Sequence, residues 1–319
     1  MRRPYDSRRK GTIMHRIACS LLATFSCAAF AADPAPVVAA PAGGGLELPE
    51  SVIQDPDSGL IWCANVGGKA DAPDAFAAKD GNGFISRLNP DGTVAELRAL
   101  PKPGGEPLNG PKGMAVLGGA LWVADIDRVV CYELESGTQL QSFDLTEQKV
   151  AFANDLVFVD DMLLLSDTIG DQLIVLHGAE RGQITEAEVL GAKGLFGGAN
   201  GLAAIGATAY LASFPLTNME KGEDFVRKFT LGEDMSENTR TPLPGGLWDG
   251  LALGADGTLY ATDWRSKGVW AVAPGAKEAK QISKDMNGPA DLCVLNDGAL
   301  LVPEMLANKV TRIEPAAAK

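Results

Sequence analysis

The sequence predicts an all-β fold, a six-bladed β-propeller with four-stranded antiparallel blades. After Gly45 no long helical pattern appears, and short β-branched and aliphatic runs alternate with turn pairs such as Asp91-Gly92 and Asp256-Gly257. One pattern returns six times: a small or polar pair, an apolar strand, a turn, and a second strand that ends in a short polar residue. Its period of roughly 40–50 residues is that of a propeller blade. A many-stranded sandwich is the alternative, but it gives no reason for the recurrence.

Charge and composition exclude one class of partner. The 319 residues contain 41 acidic and 28 basic side chains, which gives a net charge of −13. Nucleic acid would be repelled by this excess of negative charge, so we expect no nucleic-acid partner. The chain is long enough to bury a large core.

Residues 1–31 are predicted to be a signal peptide. A basic start precedes an apolar run at 17–30 that is too short to span a bilayer, and Ala29-Phe30-Ala31 is a small-x-small cleavage site. Translation starts at Met1 or at Met14, which leaves a complete short signal. We therefore expect export to the periplasm or the medium, with no membrane contact after cleavage; an uncleaved anchor is the alternative.

The mature chain is predicted to have two parts. Residues 32–45 (ADPAPVVAAPAGGG) are rich in Pro, Ala and Gly and predict a flexible tether. Residues 46–319 are predicted to form the propeller. The last unit lacks a fourth strand after Pro315, and Leu46-Glu47-Leu48 is expected to supply it and close the ring.

Equivalent positions at the start of each innermost strand should meet at the mouth of the central channel. The six openings supply carboxylates, amides, one lysine and one alanine: Glu50, Lys112, Asn154, Asn200, Asp249 and Ala290. Burying two carboxylates together is costly without a counter-charge, and a hard divalent cation with oxygen ligands would provide one. The alternative is that the Asn-Gly and Asp-Gly pairs serve turns and the acids are solvated.

This set resembles the SMP-30/gluconolactonase/LRE-like family of six-bladed propellers. The resemblance rests on Glu50, Asn154-Asp155-Leu156, Asn200-Gly201-Leu202 and Asp249-Gly250-Leu251, in that order. It implies that Glu50, Asn200 and Asp249 ligate a metal, that Asn154 is a ligand or a substrate contact, and that Asp249 is the acid/base group. Ca²⁺ fits mixed carboxylate and amide ligands best, with Zn²⁺, Mn²⁺ and Mg²⁺ as other candidates. Ser51-Val52-Ile53-Gln54 departs from the family's usual sequence after the first Glu, and Lys112 has no clear counterpart.

Other side chains are predicted to be structural. His177 ends an apolar strand and should lie on the surface, which disfavours histidine-dependent chemistry, including that of virginiamycin-lyase-like propellers. The cysteines Cys63, Cys131 and Cys293 should be buried filler. Four carboxylates that end second strands should bond backbone amides: Asp125, Asp167, Asp263 and Glu304.

The functional hypothesis is a metal-dependent hydrolase of a lactone or related ester, a small-molecule substrate. Asp249 would accept a proton from water, and Lys112 would pair with the developing carboxylate unless it is only a solvated rim residue. The alternative is a non-catalytic exported propeller that binds a ligand or a protein partner through its channel mouth. The sequence leaves the oligomeric state undetermined.

Overall fold

The structure is a computed structural model that describes residues 37–39, 44–72, 74–191, 194–216, 218–232 and 239–314. In these ranges 24 strands form six separate four-stranded antiparallel sheets, which confirms the predicted fold class. The predicted signal peptide lies outside the described residues. No helix in the described ranges has the length and apolar character needed to cross a membrane.

The first three blades each consist of four consecutive strands. Blade 1 contains β2 (Pro49–Gln54), β3 (Ile61–Asn65), β4 (Phe84–Leu88) and β5 (Val94–Leu100). Blade 2 contains β6 (Pro111–Leu117), β7 (Ala120–Asp125), β8 (Arg128–Glu133) and β9 (Gln139–Asp144). Blade 3 contains β10 (Ala153–Val159), β11 (Met162–Asp167), β12 (Gln172–His177) and β13 (Glu186–Leu190).

The next two blades follow the same order, and the sixth is completed by the first strand of the chain. Blade 4 contains β14 (Ala199–Ile205), β15 (Thr208–Ser213), β16 (Glu223–Thr230) and β17 (Thr239–Gly246). Blade 5 contains β18 (Trp248–Leu253), β19 (Leu259–Asp263), β20 (Gly268–Val272) and β21 (Lys280–Ser283). Blade 6 contains β22 (Cys293–Val294), β23 (Leu300–Glu304), β24 (Lys309–Ile313) and β1 (Val37–Ala39). Short 3-10 turns occur at Ala179–Arg181 and Met305–Ala307.

The strand that closes the ring is not the one predicted. Val37–Ala39, within the stretch predicted as a tether, pairs antiparallel with β24. The expected strand Leu46-Glu47-Leu48 is wrong: Leu46 is buried between blades 1 and 6, and Leu48 is buried with Val66 and Ala290. Leu48 adopts a left-handed backbone conformation (φ 51°), which does not fit a continuous strand.

The hydrophobic core lies between neighbouring blades rather than at one centre. Trp122 of blade 2 packs with Leu165 and Ile174 of blade 3, and comparable clusters join blades 3 and 4 and blades 4 and 5. Because each sheet buries both faces against its neighbours, the second strands are buried nearly throughout. Five of the innermost strands, by contrast, have a polar residue at their second position, and these residues define the candidate site.

Strand-end carboxylates fasten four of the six blades, as predicted. Asp125 accepts hydrogen bonds from the amides of Asn109 and Gly110, and Asp263 accepts from the Leu247 amide at 2.7 Å. Asp167 and Glu304 bond backbone amides in the same way. The amides of the loop that precedes each of these blades' first strands would otherwise lack acceptors, and the carboxylates supply them. These four side chains are therefore structural.

Candidate functional site

Five of the six innermost strands contain a register irregularity at the same place. The irregularities fall at Pro49/Ser51, Pro111/Met114, Ala153/Leu156, Ala199/Leu202 and Trp248/Leu251. A bulge frees a residue from the ladder and redirects its side chain. The freed positions are the ones the sequence singled out, and we call Glu50, Lys112, Asn154, Asn200 and Asp249 the polar ring.

Glycine allows neighbouring inner strands to approach closely beside the polar ring. A Cβ at Gly201 would lie 2.0 Å from the carbonyl oxygen of Asp249, and one at Gly250 would lie 2.4 Å from Cα of Asp291. Gly113 stands in the same relation to Asp155, the next blade around. The glycine that follows a ring residue therefore serves strand packing, and the ring residue keeps the polar side chain.

All five members of the polar ring are buried. Glu50, Asn154 and Asn200 are each 4% exposed, and Asp249 is 6% exposed. Lys112 is only 1% exposed, so the alternative of a solvated rim lysine is wrong. The sixth predicted position, Ala290, is buried in the apolar cluster with Leu48 and Met305.

Two buried aspartates were missed as site residues. Asp155 and Asp291 follow ring positions Asn154 and Ala290, where other blades have glycine or serine. Asp155 accepts hydrogen bonds from the amides of Leu156 at 2.7 Å and Leu202 at 2.6 Å. Asp291 accepts from Ser51 Oγ at 2.6 Å. Alignment of the six repeats could have identified both residues, because each aspartate occupies a position where the other repeats have glycine or serine.

The buried carboxylates of the site affect one another's pKa values. Burial raises the pKa of Glu50 well above its ordinary value, and the charge of Asp249 raises this pKa further. Lys112 lowers it, while Asp291 and Asp155 raise it. Burial likewise raises the pKa of Asp249 and of Asp291 to about 7. The group is therefore destabilised as a set of anions, and a cation would relieve it.

Two polar-ring oxygens have no hydrogen-bond partner. Glu50 Oε2 and Asn200 Oδ1 are both buried and unpartnered. An unsatisfied buried acceptor costs about 1–3 kcal/mol, and more when it is charged. Both atoms belong to the predicted metal-ligand set.

Asp249 is oriented by a tryptophan. Trp264 donates its indole N–H to Asp249 Oδ2 at 2.5 Å, and this bond lowers the Asp249 pKa against the effect of burial. Trp264 in turn packs edge-to-face on Phe214, with ring centroids 5.8 Å apart. Trp248, next to Asp249 in the chain, is fully buried and packs edge-to-face against Trp270.

Lys112 has few partners for a buried ammonium. Its Nζ donates to the Gly110 carbonyl at 3.0 Å and lies 4.2 Å from the centroid of the Phe152 ring. No carboxylate of the described residues lies within 4.0 Å of it as an ion pair. Burial lowers the pKa of Lys112 to about 8, although Glu50 and Asp125 act in the opposite direction.

The remaining reactive residues lie elsewhere. His177 is partly exposed at the end of β12, 3.3 Å from Glu188, in agreement with its predicted surface position. The predicted burial of Cys63, Cys131 and Cys293 is confirmed, and all three are free thiols. None of these residues belongs to the polar ring.

The donor set fits a hard oxygen-seeking cation, though it is poor in carboxylates. Across the described ranges no group of three or more His, Cys, Asp and Glu side chains is arranged to hold a metal ion. The predicted ligands include only two carboxylates, Glu50 and Asp249, together with the amides of Asn154 and Asn200. Amide oxygens are acceptable Ca²⁺ ligands, and the unpartnered atoms of Glu50 and Asn200 are of the required type.

Comparison with known proteins supports the fold. No family model and no curated protein matches the chain. A streptogramin B lyase structure is similar at TM-score 0.57 and 13% identity, covering 87% of this chain and 95% of that one. A catalytically inactive histidine-to-alanine variant of virginiamycin B lyase from Staphylococcus aureus, with quinupristin, is similar at TM-score 0.52 and 14% identity, over 83% of this chain and 94% of that one. At such identities the likeness establishes the propeller fold alone, and the resemblance to the SMP-30/gluconolactonase/LRE-like family stays a prediction.

Proposed function

We propose that this propeller is a metal-dependent hydrolase that acts on a lactone or related ester at the polar ring. The observation that carries the proposal is the pair of buried, unpartnered oxygens on Glu50 and Asn200, within a group of carboxylates that raise one another's pKa values. Such an arrangement is costly in isolation and favourable around a cation. Perturbed carboxylates in a channel are also typical of functional sites.

Glu50, Asn154, Asn200 and Asp249 would hold the ion. Ca²⁺ suits their mixed carboxylate and amide oxygens best, and Zn²⁺, Mn²⁺ and Mg²⁺ are the other candidates. When bound, the ion would supply Lewis-acid polarisation of the ester carbonyl.

The chain's own residues would handle the proton and the product. Trp264 occupies one acceptor position of Asp249 Oδ2, so the carboxylate keeps positions for the ion and, on Oδ1, for a proton from water. Lys112 uses one of three donors on the Gly110 carbonyl, so two N–H groups remain to pair with the carboxylate that ester cleavage releases.

Lyase chemistry of the kind named for the similar structures is not supported by the site. The inactive Staphylococcus aureus variant lacks a histidine side chain. In this chain the polar ring contains no histidine, and His177 lies on the third strand of blade 3 beside Glu188. The ring offers carboxylates, amides and a lysine instead.

The proposal includes export and a small-molecule substrate. The basic start, apolar run and cleavage site of residues 1–31 support periplasmic or secreted localisation. The buried position of the polar ring supports a small substrate rather than a macromolecular one.

The test is hydrolysis of a panel of aliphatic and sugar lactones with and without a chelator, in wild type, Asp249→Asn and Asp256→Asn. Asp256 is an exposed turn residue that bonds Thr258, so its variant is the matched control. We expect kcat of the Asp249→Asn variant to fall on the order of 100-fold or more. Chelation should abolish the activity of wild type, and added metal ion should restore it. Full activity after both changes would refute the proposal. Calcium binding without turnover of any lactone would favour the non-catalytic binding propeller.

A further inference from the structure

The innermost strands also line an open cavity of about 220 Å³. Its walls come from the innermost strands or strand entries of all six blades. Every lining side chain is apolar except two, Asp155 and Asp291. Leu156, Leu202 and Leu251 are among the aliphatic residues that complete the wall. The cavity therefore combines an apolar surface with two carboxylates.

Neither aspartate exhausts its hydrogen-bonding capacity on the protein. Asp155 accepts two bonds, from the amides of Leu156 and Leu202. Asp291 accepts from Ser51 Oγ and from the Leu292 amide. An ionised carboxylate offers about four acceptor positions, so roughly half remain on each side chain.

The two aspartates come from opposite sides of the ring, blades 3 and 6, and their charges oppose each other. Both are buried, Asp155 at 3% and Asp291 at 9% exposed, and both line this cavity. A cation placed between them would stabilise both anions. Apart from these two carboxylates, the side chains that line the cavity are apolar. A complementary cation therefore carries an apolar group as well as its charge.

We propose that this cavity binds a small aliphatic ammonium ion, whose N–H groups donate to Asp155 and Asp291 and whose alkyl chain packs against Leu156, Leu202 and Leu251. At about 30 Å³ for each water-sized unit, the volume accommodates roughly seven such units, the size of a short alkylamine. Asp155 and Asp291 are not among the proposed metal ligands, and no polar-ring residue lines the cavity, so the ammonium proposal does not require the ring to be catalytic.

The experiment is isothermal titration of the full chain at pH 8, in the presence of chelator, with n-butylammonium chloride and with n-butanol. The two probes have the same chain length and differ in charge. We expect n-butylammonium to bind at one equivalent, and n-butanol to bind at least 10-fold more weakly. Equal affinity for the two probes, or no binding of the ammonium ion, would overturn the proposal.

Substitutions locate the binding. Asp291→Asn should weaken n-butylammonium at least 10-fold and leave n-butanol unchanged. Since Asp291 also holds Ser51, a second variant, Ala204→Leu, fills the cavity and keeps both carboxylates; it should abolish binding. Ala207→Leu makes the same change on the neighbouring exposed turn and is the matched control. Binding that survives Ala204→Leu would show that the amine does not occupy this cavity.

Discussion

At Asp249 a single hydrogen bond connects the polar ring to the surrounding blade. The indole of Trp264 lies 2.5 Å from Oδ2, and Phe214 supports its ring. Trp264→Phe removes the donor and keeps most of the packing. A hydrogen bond to a charged group is worth about 1.5–3 kcal/mol, so we expect calcium affinity to fall about 10- to 100-fold.

The measurement is calcium titration followed by tryptophan fluorescence and calorimetry. The tryptophan emission of wild type should change when calcium binds, because Trp264 is hydrogen-bonded to Asp249, a proposed metal ligand. The Trp264→Phe variant should lose this change. Trp270→Phe is the control, since Trp270 Nε1 bonds Ser266 away from the ring. Wild-type affinity in Trp264→Phe would show that the bond does not position Asp249.

The buried carboxylates should make stability depend on pH. Burial raises the pKa of Asp249 and of Asp291 to about 7, whereas unfolded Asp titrates near 4. Between these values the folded state binds more protons than the unfolded state, so stability falls as pH rises. In chelator we expect Tm to be at least about 4 °C lower at pH 8 than at pH 5.

Thermal unfolding across this range checks the sign. The fall should be smaller in Asp249→Asn, which cannot ionise, and added calcium should restore Tm at pH 8. A Tm that rises from pH 5 to pH 8 in wild type would contradict the ionisation behaviour inferred for the ring.

Residue type and repeat position predicted some of the site residues but not all of them. Glu50, Asn154, Asn200 and Asp249 were found because they recur at one position of a repeat. Lys112 was found for the same reason, but its burial was not, since a lysine is usually solvated. Asp291 was missed because its neighbour Ala290 occupied the expected position.

Among the elements, the innermost strands place the site through their bulges and their glycines. The backbone of Gly201 is not left-handed, so alanine would not strain its backbone angles. The Gly201→Ala substitution destabilises the fold only through a steric clash, because its Cβ would lie 2.0 Å from the Asp249 carbonyl oxygen. Backbone atoms cannot rotate away, and we expect a loss of about 3 kcal/mol, at the upper end of overpacking costs. Denaturant unfolding measures it.

Gly245→Ala is the matched control for this change. Gly245 lies on the outer strand β17, where the nearest atom to an added Cβ is Arg265 Nη1 at 4.0 Å, and its backbone is not left-handed. Its variant should stay within about 0.5 kcal/mol of wild type. Equal effects at the two glycines would mean that close strand approach does not govern the ring.

For the whole molecule, closure depends on β1. Val37–Ala39 completes blade 6 by pairing with Thr311, Arg312 and Ile313. A chain that begins at Gly44 lacks this strand and leaves the edge of β24 unpaired, which favours unfolding or association through the edge. We expect a lower Tm and higher-order species in size-exclusion chromatography.

A chain that begins at Pro34 keeps β1 and is the control. It should behave as a single species with the higher Tm of the pair. Indistinguishable stability in the two truncated chains would show that the three-residue strand does not hold the ring closed.

The sequence by itself determined the six-fold repeat, the strand and turn pattern and the polar start of each inner strand, because these are local features with a fixed period. Only the tertiary structure decided which distant segment closes blade 6, that Lys112 is buried beside Phe152, and that Asp155 and Asp291 share a cavity wall. These depend on how neighbouring blades approach one another. No periodicity encodes that approach, because the contacts join residues of different blades or of opposite ends of the chain.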